Sequence, residues 1–333
     1  MFDLSRDIHL TPEDTDALLQ GRLPISPEIA SHLEVAVGVP ASFWIARERS
    51  YRLALTRSAA KTGGATATEW LRQLPINDMV EFGWLEPKPD EAIADACLRY
   101  FGTPDLETWR AVYRHILSAA TFRTSPTYES QPGAVAAWMR QGELLTSSLR
   151  CDPWNPRRFE AVLPEIRPLT RKKRPEEFVP ELVRRAAECG VAVAVVRAPQ
   201  GCRASGATRF VSSHRAILLL SFRYLSDDQF WFTFFHESAH LLLHGQRAVF
   251  LEGAEDESVA TKEEKEANAF AATILIPPEA QSDLRLLRSN HMEVIRHARR
   301  LGISPGILVG QLQHAGRIPR NHLNRLKRRY SWR

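Results

Sequence analysis

Cysteine is scarce in this chain of 333 residues: Cys97, Cys151, Cys189 and Cys202 are its 4, and no two are spaced as C-x-x-C. Without that spacing, and without a secretory context, a disulfide framework is not expected and all four read as reduced thiols. No apolar run approaches the roughly 20 residues needed to span a bilayer, and the N-terminus does not read as a signal peptide. The expected compartment is therefore the cytoplasm, with no membrane partner. Internal repeats and low-complexity tracts are absent too. Excess charge is small: a net +5 does not by itself imply nucleic acid. The tail from Arg317 to Arg329 is locally basic, and its simplest reading is a solvated C-terminal helix or a fraying end. What remains, 44% apolar and 25% charged residues, is ordinary for a soluble globular protein of two or three domains.

On that background stands one concentrated signal, Phe234-Phe235-His236-Glu237-Ser238-Ala239-His240-Leu241-Leu242-Leu243-His244-Gly245. It is an H-E-x-x-H inside an apolar helix. Four residues correspond to about 400° of helical rotation, so His236 and His240 leave the helix on nearly the same face and can share one metal ion. Glu237 projects beside them, placed to take a proton from an attacking water rather than to coordinate, which is the general-base role in zinc proteases. The competing reading is a coincidence on a solvated helix face. Trp231, Phe232, Phe234, Phe235 and Leu241 to Leu243 argue against it, because they bury the helix on most of its circumference. Buried histidines and a buried glutamate need partners, and a divalent metal satisfies all three.

A catalytic zinc site usually takes three protein ligands and keeps one open position. Residues 263–276, Glu263-Glu264-Lys265-Glu266-Ala267-Asn268-Ala269-Phe270-Ala271-Ala272-Thr273-Ile274-Leu275-Ile276, read as a helix stopped by Pro277-Pro278, with Ala267, Phe270, Ala271 and Ile274 on its apolar face. Glu264 continues that stripe. Glu263 and Glu266 sit farther from its centre and read as solvated groups that complement the helix dipole. His244 reads as a polar residue at the helix end, with Gly245 as the stop; the metzincin pattern would need a histidine at 246, where the chain has Gln246. His214, Arg223 and Tyr224 are near the motif as candidates to stabilise an oxyanion, but the sequence does not place them over a metal.

The H-E-S-A-H of residues 236–240, the Glu264-x-Glu266-Ala267-Asn268-x-Phe270-Ala271-Ala272 run and Leu275-Ile276-Pro277 resemble the ImmA/IrrE family of bacterial zinc metallopeptidases. The resemblance extends upstream through residues 216–221 and 227–232 and downstream through 303–310, covering about the last half of the chain. It implies that Glu264 is the third zinc ligand beside His236 and His240, and that the protein cuts a repressor so as to relieve transcriptional control. Where many relatives have Gly before the second histidine, this chain has Ala239.

The N-terminal residues carry a second signal. Stretches 4–8, 11–19 and 26–37 read as short helices, with Gly21 ending one and Ser26-Pro27 starting the next. Ile25-Ser26-Pro27-Glu28-Ile29-Ala30 and Phe43-Trp44 resemble the later part of an XRE/HigA-type helix-turn-helix. The segment matching its recognition helix, Thr11 to Asp16, is acidic, a face that phosphates repel. Between the two signals, 61–67 reads as a Gly/Ala/Thr linker, and 68–74, 91–100, 106–119 and 133–146 as helices, with Trp70, Trp84, Trp109 and Trp138 as core residues. Arg171 to Pro175 reads as a solvated linker. After it come a helix over 180–189, a strand over 191–196 and a hairpin of 208–211 with 216–222.

The expected fold is mostly α: an all-α N-terminal half and an α+β zincin-like metallopeptidase domain, with a small sheet and the H-E-x-x-H helix. The expected domains are a partial helix-turn-helix at 1–58, a helical middle region at 59–174 and the peptidase at 175–333. The expected function is a Zn²⁺-dependent endopeptidase, with His236, His240 and Glu264 on the metal and Glu237 as base, acting on a repressor or antitoxin-like protein. The strand 217–220 is the expected edge for an extended substrate. The alternative is a DNA-binding regulator or antitoxin whose zinc fold is a sensor or scaffold, although a scaffold has no use for Glu237.

Overall fold

A strand with no polar face has to be covered on both sides, and β1 (Val191–Val195) and β3 (Arg215–Leu220) are such strands. In the computed structural model they lie side by side and parallel, Val191 opposite Ala216 and Val195 opposite Leu220. β2 (Gly206–Ser212) turns back onto β3 as an antiparallel hairpin, with a register shift between Phe210 and Ser212, and β4 (Phe250–Glu252) pairs antiparallel with β2 from Gly206 to Thr208. The sheet order is β1-β3-β2-β4. The expected hairpin is present, but β3 is central. Its backbone groups are consumed by β1 on one side and β2 on the other, so 217–220 is not an edge that can take a substrate strand. The Ile217-Leu218-Leu219-Leu220 run is itself the reason: a strand apolar on both faces belongs in the middle of a sheet.

The described residues are 10–19, 23–48, 64–89, 91–114, 131–245, 250–252, 262–281 and 290–332. The helix expected over 4–8, the turn at 20–22, the linker residues 61–63, the end of the helix expected over 106–119 and Gln246 lie outside them.

The chain divides into two compact units, Met1–His115 and Ile116–Arg333. In the first, the regular elements among the described residues are all helices. Helix Pro27–Val37 starts where Ser26 Oγ accepts a hydrogen bond from Ile29 N, and ends at Gly38 with φ 75°, a left-handed cap that glycine adopts without strain. Ile29 and Leu33 are buried against Leu18, Leu23, Ile25 and Trp44, which gives these residues a small core of their own. Farther on, helices Gly64–Arg72, Ile93–Phe101 and Leu106–Val112, the last with its C-cap Tyr113, gather Trp70, Phe101, Trp109 and Tyr113 into one aromatic cluster. Residues 64–67, expected in a linker, are the first turn of a helix.

The second unit is α+β. Helix Pro132–Thr146 covers one face of the sheet: Trp138 Nε1 donates to Val196 O at 3.2 Å, Arg215 donates to Thr146 O, and Gly142 lies where any side chain would overlap Leu219. The other face, with Leu218 and Leu220, packs into the main core together with Phe159 and Leu163 of helix Pro156–Ile166, Phe178 and Leu182 of helix Pro175–Ala187, and Trp231, Phe234 and Phe235 of helix Asp227–Leu243. The boundary drawn at 174/175 therefore falls inside this unit. Arg171 to Arg174 form the exposed turn between a 3-10 helix, Arg167–Arg171, and a helix that opens on Pro175. The small sheet within a mostly helical chain agrees with the expected fold class. No helix among the described residues is long and apolar enough to cross a membrane.

The basic tail keeps Arg317, Arg320, Arg325 and Arg329 exposed, as a solvated segment would, but it is not a free end: residues 327–330 are docked on the start of helix Asp227–Leu243. Asp227 N donates to Arg328 O, Arg328 N donates back to Asp227 Oδ1, and Tyr330 N donates to Leu225 O. Ser226 and Arg329 bridge as a short antiparallel pair. Tyr330 is buried among Phe178, Phe222 and Phe230. Lys327 Nζ lies 2.6 Å from Asp228 Oδ2, an ion pair with only 13% and 4% of the two side chains exposed. Losing one partner of such a pair strands the other charge, so Lys327→Met should cost about 3 kcal/mol. Urea unfolding checks this; stability equal to wild type would mean that the tail does not hold the helix.

Candidate metal centre

The site is built on helix Asp227–Leu243, the motif helix, which buries thirteen of its residues, including His236, Glu237 and His240. Asp227 and Asp228 in its first turn complement the positive end of the helix dipole. Gly245, with φ 74°, stands just past its C-cap His244, as expected for a helix stop. Helix Lys262–Leu275 lies against it through Ala267 and Ala271, whose small side chains let the two backbones approach.

Across that contact His236, His240 and Glu264 come together. His236 Nε2 is 3.0 Å from His240 Nε2; Glu264 Oε2 is 3.1 Å from His236 Nε2, and Oε1 is 3.6 Å from His240 Nε2. Both histidine side chains are almost fully buried and Glu264 is 13% exposed. Among the described residues this is the group of His, Cys, Asp and Glu side chains able to hold a metal ion.

The donor set can be tested against a metal. Asn268 Oδ1 lies 2.9 Å from His236 Nδ1, and a carbonyl oxygen only accepts, so Nδ1 of His236 carries the proton and Nε2 of the neutral ring is a bare lone pair. That lone pair points at a second imidazole nitrogen and a carboxylate. Such a cluster is repulsive unless a cation sits among the donors. Ligands about 2.0–2.1 Å from a tetrahedral ion lie about 3.3 Å from one another, and the three separations here bracket that value. Burial holds His240 below the ordinary histidine range, so the ring is neutral and able to coordinate. Burial pushes the Glu264 carboxyl up, but the two imidazoles facing it outweigh burial and hold it well below the usual carboxylate range. Two neutral imidazoles and an ionised carboxylate fit a divalent metal.

Glu237 is buried beside this group, against β2. A Cβ at Gly206 would fall 2.6 Å from both Cγ and Oε1 of Glu237, and as close to Thr233. Glycine at 206 therefore makes the space that the carboxylate occupies. Nothing in the sequence around 206 signalled this, because the contact spans the sheet and the helix. Glu266, expected to be solvated, is 45% exposed but reaches His244, with Oε2 3.2 Å from Nε2. Of the oxyanion candidates, His214 occupies the exposed β2–β3 turn, and the Arg223 guanidinium stacks over the Tyr224 ring.

Residues 191–312, about a third of the chain, match the M78 peptidase family model, described as the IrrE N-terminal-like domain. The matched stretch opens at β1, closes within helix Pro305–His314 and contains the whole site. It supports the ImmA/IrrE resemblance: this part of the chain is similar to a metallopeptidase family, which is in keeping with a metal-dependent hydrolase acting on protein. The helix-turn-helix resemblance of the N-terminal residues lies outside the match. No curated protein matches the chain.

Gly206→Ala should displace the Glu237 side chain or open the β2–helix contact, at a cost of about 1–3 kcal/mol. Thermal unfolding, with a crystal structure of the variant, checks both outcomes; an unshifted Glu237 at unchanged stability would show that the space is not needed.

Proposed function

We propose that this protein is a zinc-dependent endopeptidase that cuts a transcriptional repressor or antitoxin-like protein and so relieves its control. In this reading residues 1–58 are a helix-turn-helix-derived module carried by the same chain. The observation that carries the proposal is the convergence of His236, His240 and Glu264 around one point, with Glu237 buried beside them against Gly206. A scaffold or sensor would need the first three and has no use for the fourth.

His236, His240 and Glu264 would hold the ion through Nε2, Nε2 and the carboxylate. When bound, zinc supplies Lewis acidity that brings the pKa of water towards about 7 and polarises the scissile carbonyl. Glu237 takes the proton of the attacking water and passes it to the nitrogen of the leaving amine. Its burial keeps bulk water from competing for that proton, and the wall formed by Gly206 and Thr233 limits where the carboxylate can lie. Asn268 keeps His236 in the tautomer whose lone pair faces the site.

Purified protein should carry about one zinc per chain, and His236→Ala or Glu264→Gln should remove most of it, whereas Glu263→Gln should not. Metal analysis checks this; full zinc in Glu264→Gln with loss in Glu263→Gln would overturn the ligand assignment. Glu237→Gln should keep fold and zinc while lowering peptide-bond cleavage by about 10² or more. Cleavage of a repressor encoded beside this gene, or of a peptide library, is the assay. A Glu237→Gln protein that still relieves repression fully would mean that proteolysis is not its function.

A further inference from the structure

The far nitrogen of His240 does not face solvent or a backbone carbonyl. Its Nδ1 is 2.9 Å from Nδ1 of His244, one helical turn along, and Nε2 of His244 is 3.2 Å from Glu266 Oε2. Two ring nitrogens in contact share one proton, so one donates and the other accepts. The carboxylate of Glu266 decides which. An ionised carboxylate only accepts, so His244 carries its proton on Nε2, and its Nδ1 in the neutral ring is a bare acceptor. The shared proton therefore belongs to His240 Nδ1, and His240 Nε2 is left as a lone pair aimed at His236 and Glu264.

From this geometry we infer that His244 and Glu266 are positioning residues: a relay running Glu266, His244, His240 that fixes the tautomer and ring orientation of His240 for a metal ion. The relay rests on the metal-centre reading above. His236 is set the same way by a different partner, Asn268 Oδ1. One helix, Lys262–Leu275, thus supplies the carboxylate of Glu264 and, two and four residues on, the groups that orient both histidines. The burial pattern agrees with a relay. His244 has 7% of its side chain exposed while Glu266 has 45%, so the chain of groups leads from a buried ligand out to a half-exposed carboxylate. Lys262 Nζ, 3.6 Å from Glu266 Oε1, adds a cation at the outer end. Partners that orient a ligating histidine typically change metal affinity by about 10–100-fold when removed.

The test is competition of the full-length protein with a chelator for Zn²⁺, which reads affinity without any assay of activity. His244→Phe keeps a ring of similar volume and removes the acceptor; Glu266→Ala removes the far end of the relay from a half-exposed position that folding tolerates. Both should bind Zn²⁺ about 10–100-fold more weakly than wild type. His244→Gln, whose carboxamide oxygen can accept from His240 Nδ1, should stay within a few-fold of wild type, and so should Glu263→Ala. A merely structural role would reverse the order at 244, since Phe fills the site better than Gln. Wild-type affinity in His244→Phe and Glu266→Ala overturns the relay and leaves the metal centre standing. No Zn²⁺ binding by the wild-type chain overturns both.

Discussion

A helix buried on nearly every side yet carrying two aspartates, two histidines and a glutamate is the constraint on which the second unit depends. Each of these groups loses its water on folding, and each has to recover a partner at a cost of several kcal/mol if it fails. Much of the surrounding chain can be read as the set of partners. At the helix start, Asp227 receives the Ser304 hydroxyl and the Arg328 backbone N–H, while Asp228 pairs with Lys327. Gly306 and Gly310 leave the room for these two carboxylates, since a Cβ at either would run into them. Midway, His236 and His240 face Glu264. At the C-terminal end His244 faces Glu266.

This accounting explains why helix Pro305–His314 and the tail belong to the same body as the site. They hold the start of the motif helix, and with it the rotation that sets which way positions 236, 237 and 240 point. The hydrophobic term alone would not specify that rotation, because a helix apolar all round packs almost equally well when turned by one residue. The buried carboxylates at its first turn do specify it, since only one rotation brings both to their donors.

Much of the site was legible because its parts repeat at helical spacing within short stretches. His236 and His240 are four apart, and Glu264 continues the stripe of Ala267 and Ala271; these are local facts of a one-dimensional pattern, and the three side chains do come together. The cap at Ser26, the helix over the 26–37 stretch and the β2–β3 hairpin were legible for the same reason. What escaped was long-range. The Ser304 and Arg328 contacts with Asp227 span 77 and 101 residues, so a run of arginine and lysine at 317–329 looked like a solvated end. The central place of β3 was, by contrast, written in the Ile217-Leu218-Leu219-Leu220 run, apolar on both faces, which the edge reading passed over. Gly206 has no sequence signal at all, since its meaning lies in the carboxylate that the motif helix presents to it. Glu266 is exposed as expected, and its contact with His244 went unforeseen because the two lie on different helices.

The central claim is that two imidazole nitrogens and one carboxylate, and no sulfur, hold a zinc ion in this chain. X-ray absorption at the zinc edge of the purified protein tests it most directly. The account predicts a first coordination sphere of nitrogen and oxygen at about 2.0–2.1 Å, with the multiple-scattering pattern of two imidazoles. A sulfur contribution at about 2.3 Å, or a single imidazole, would contradict it.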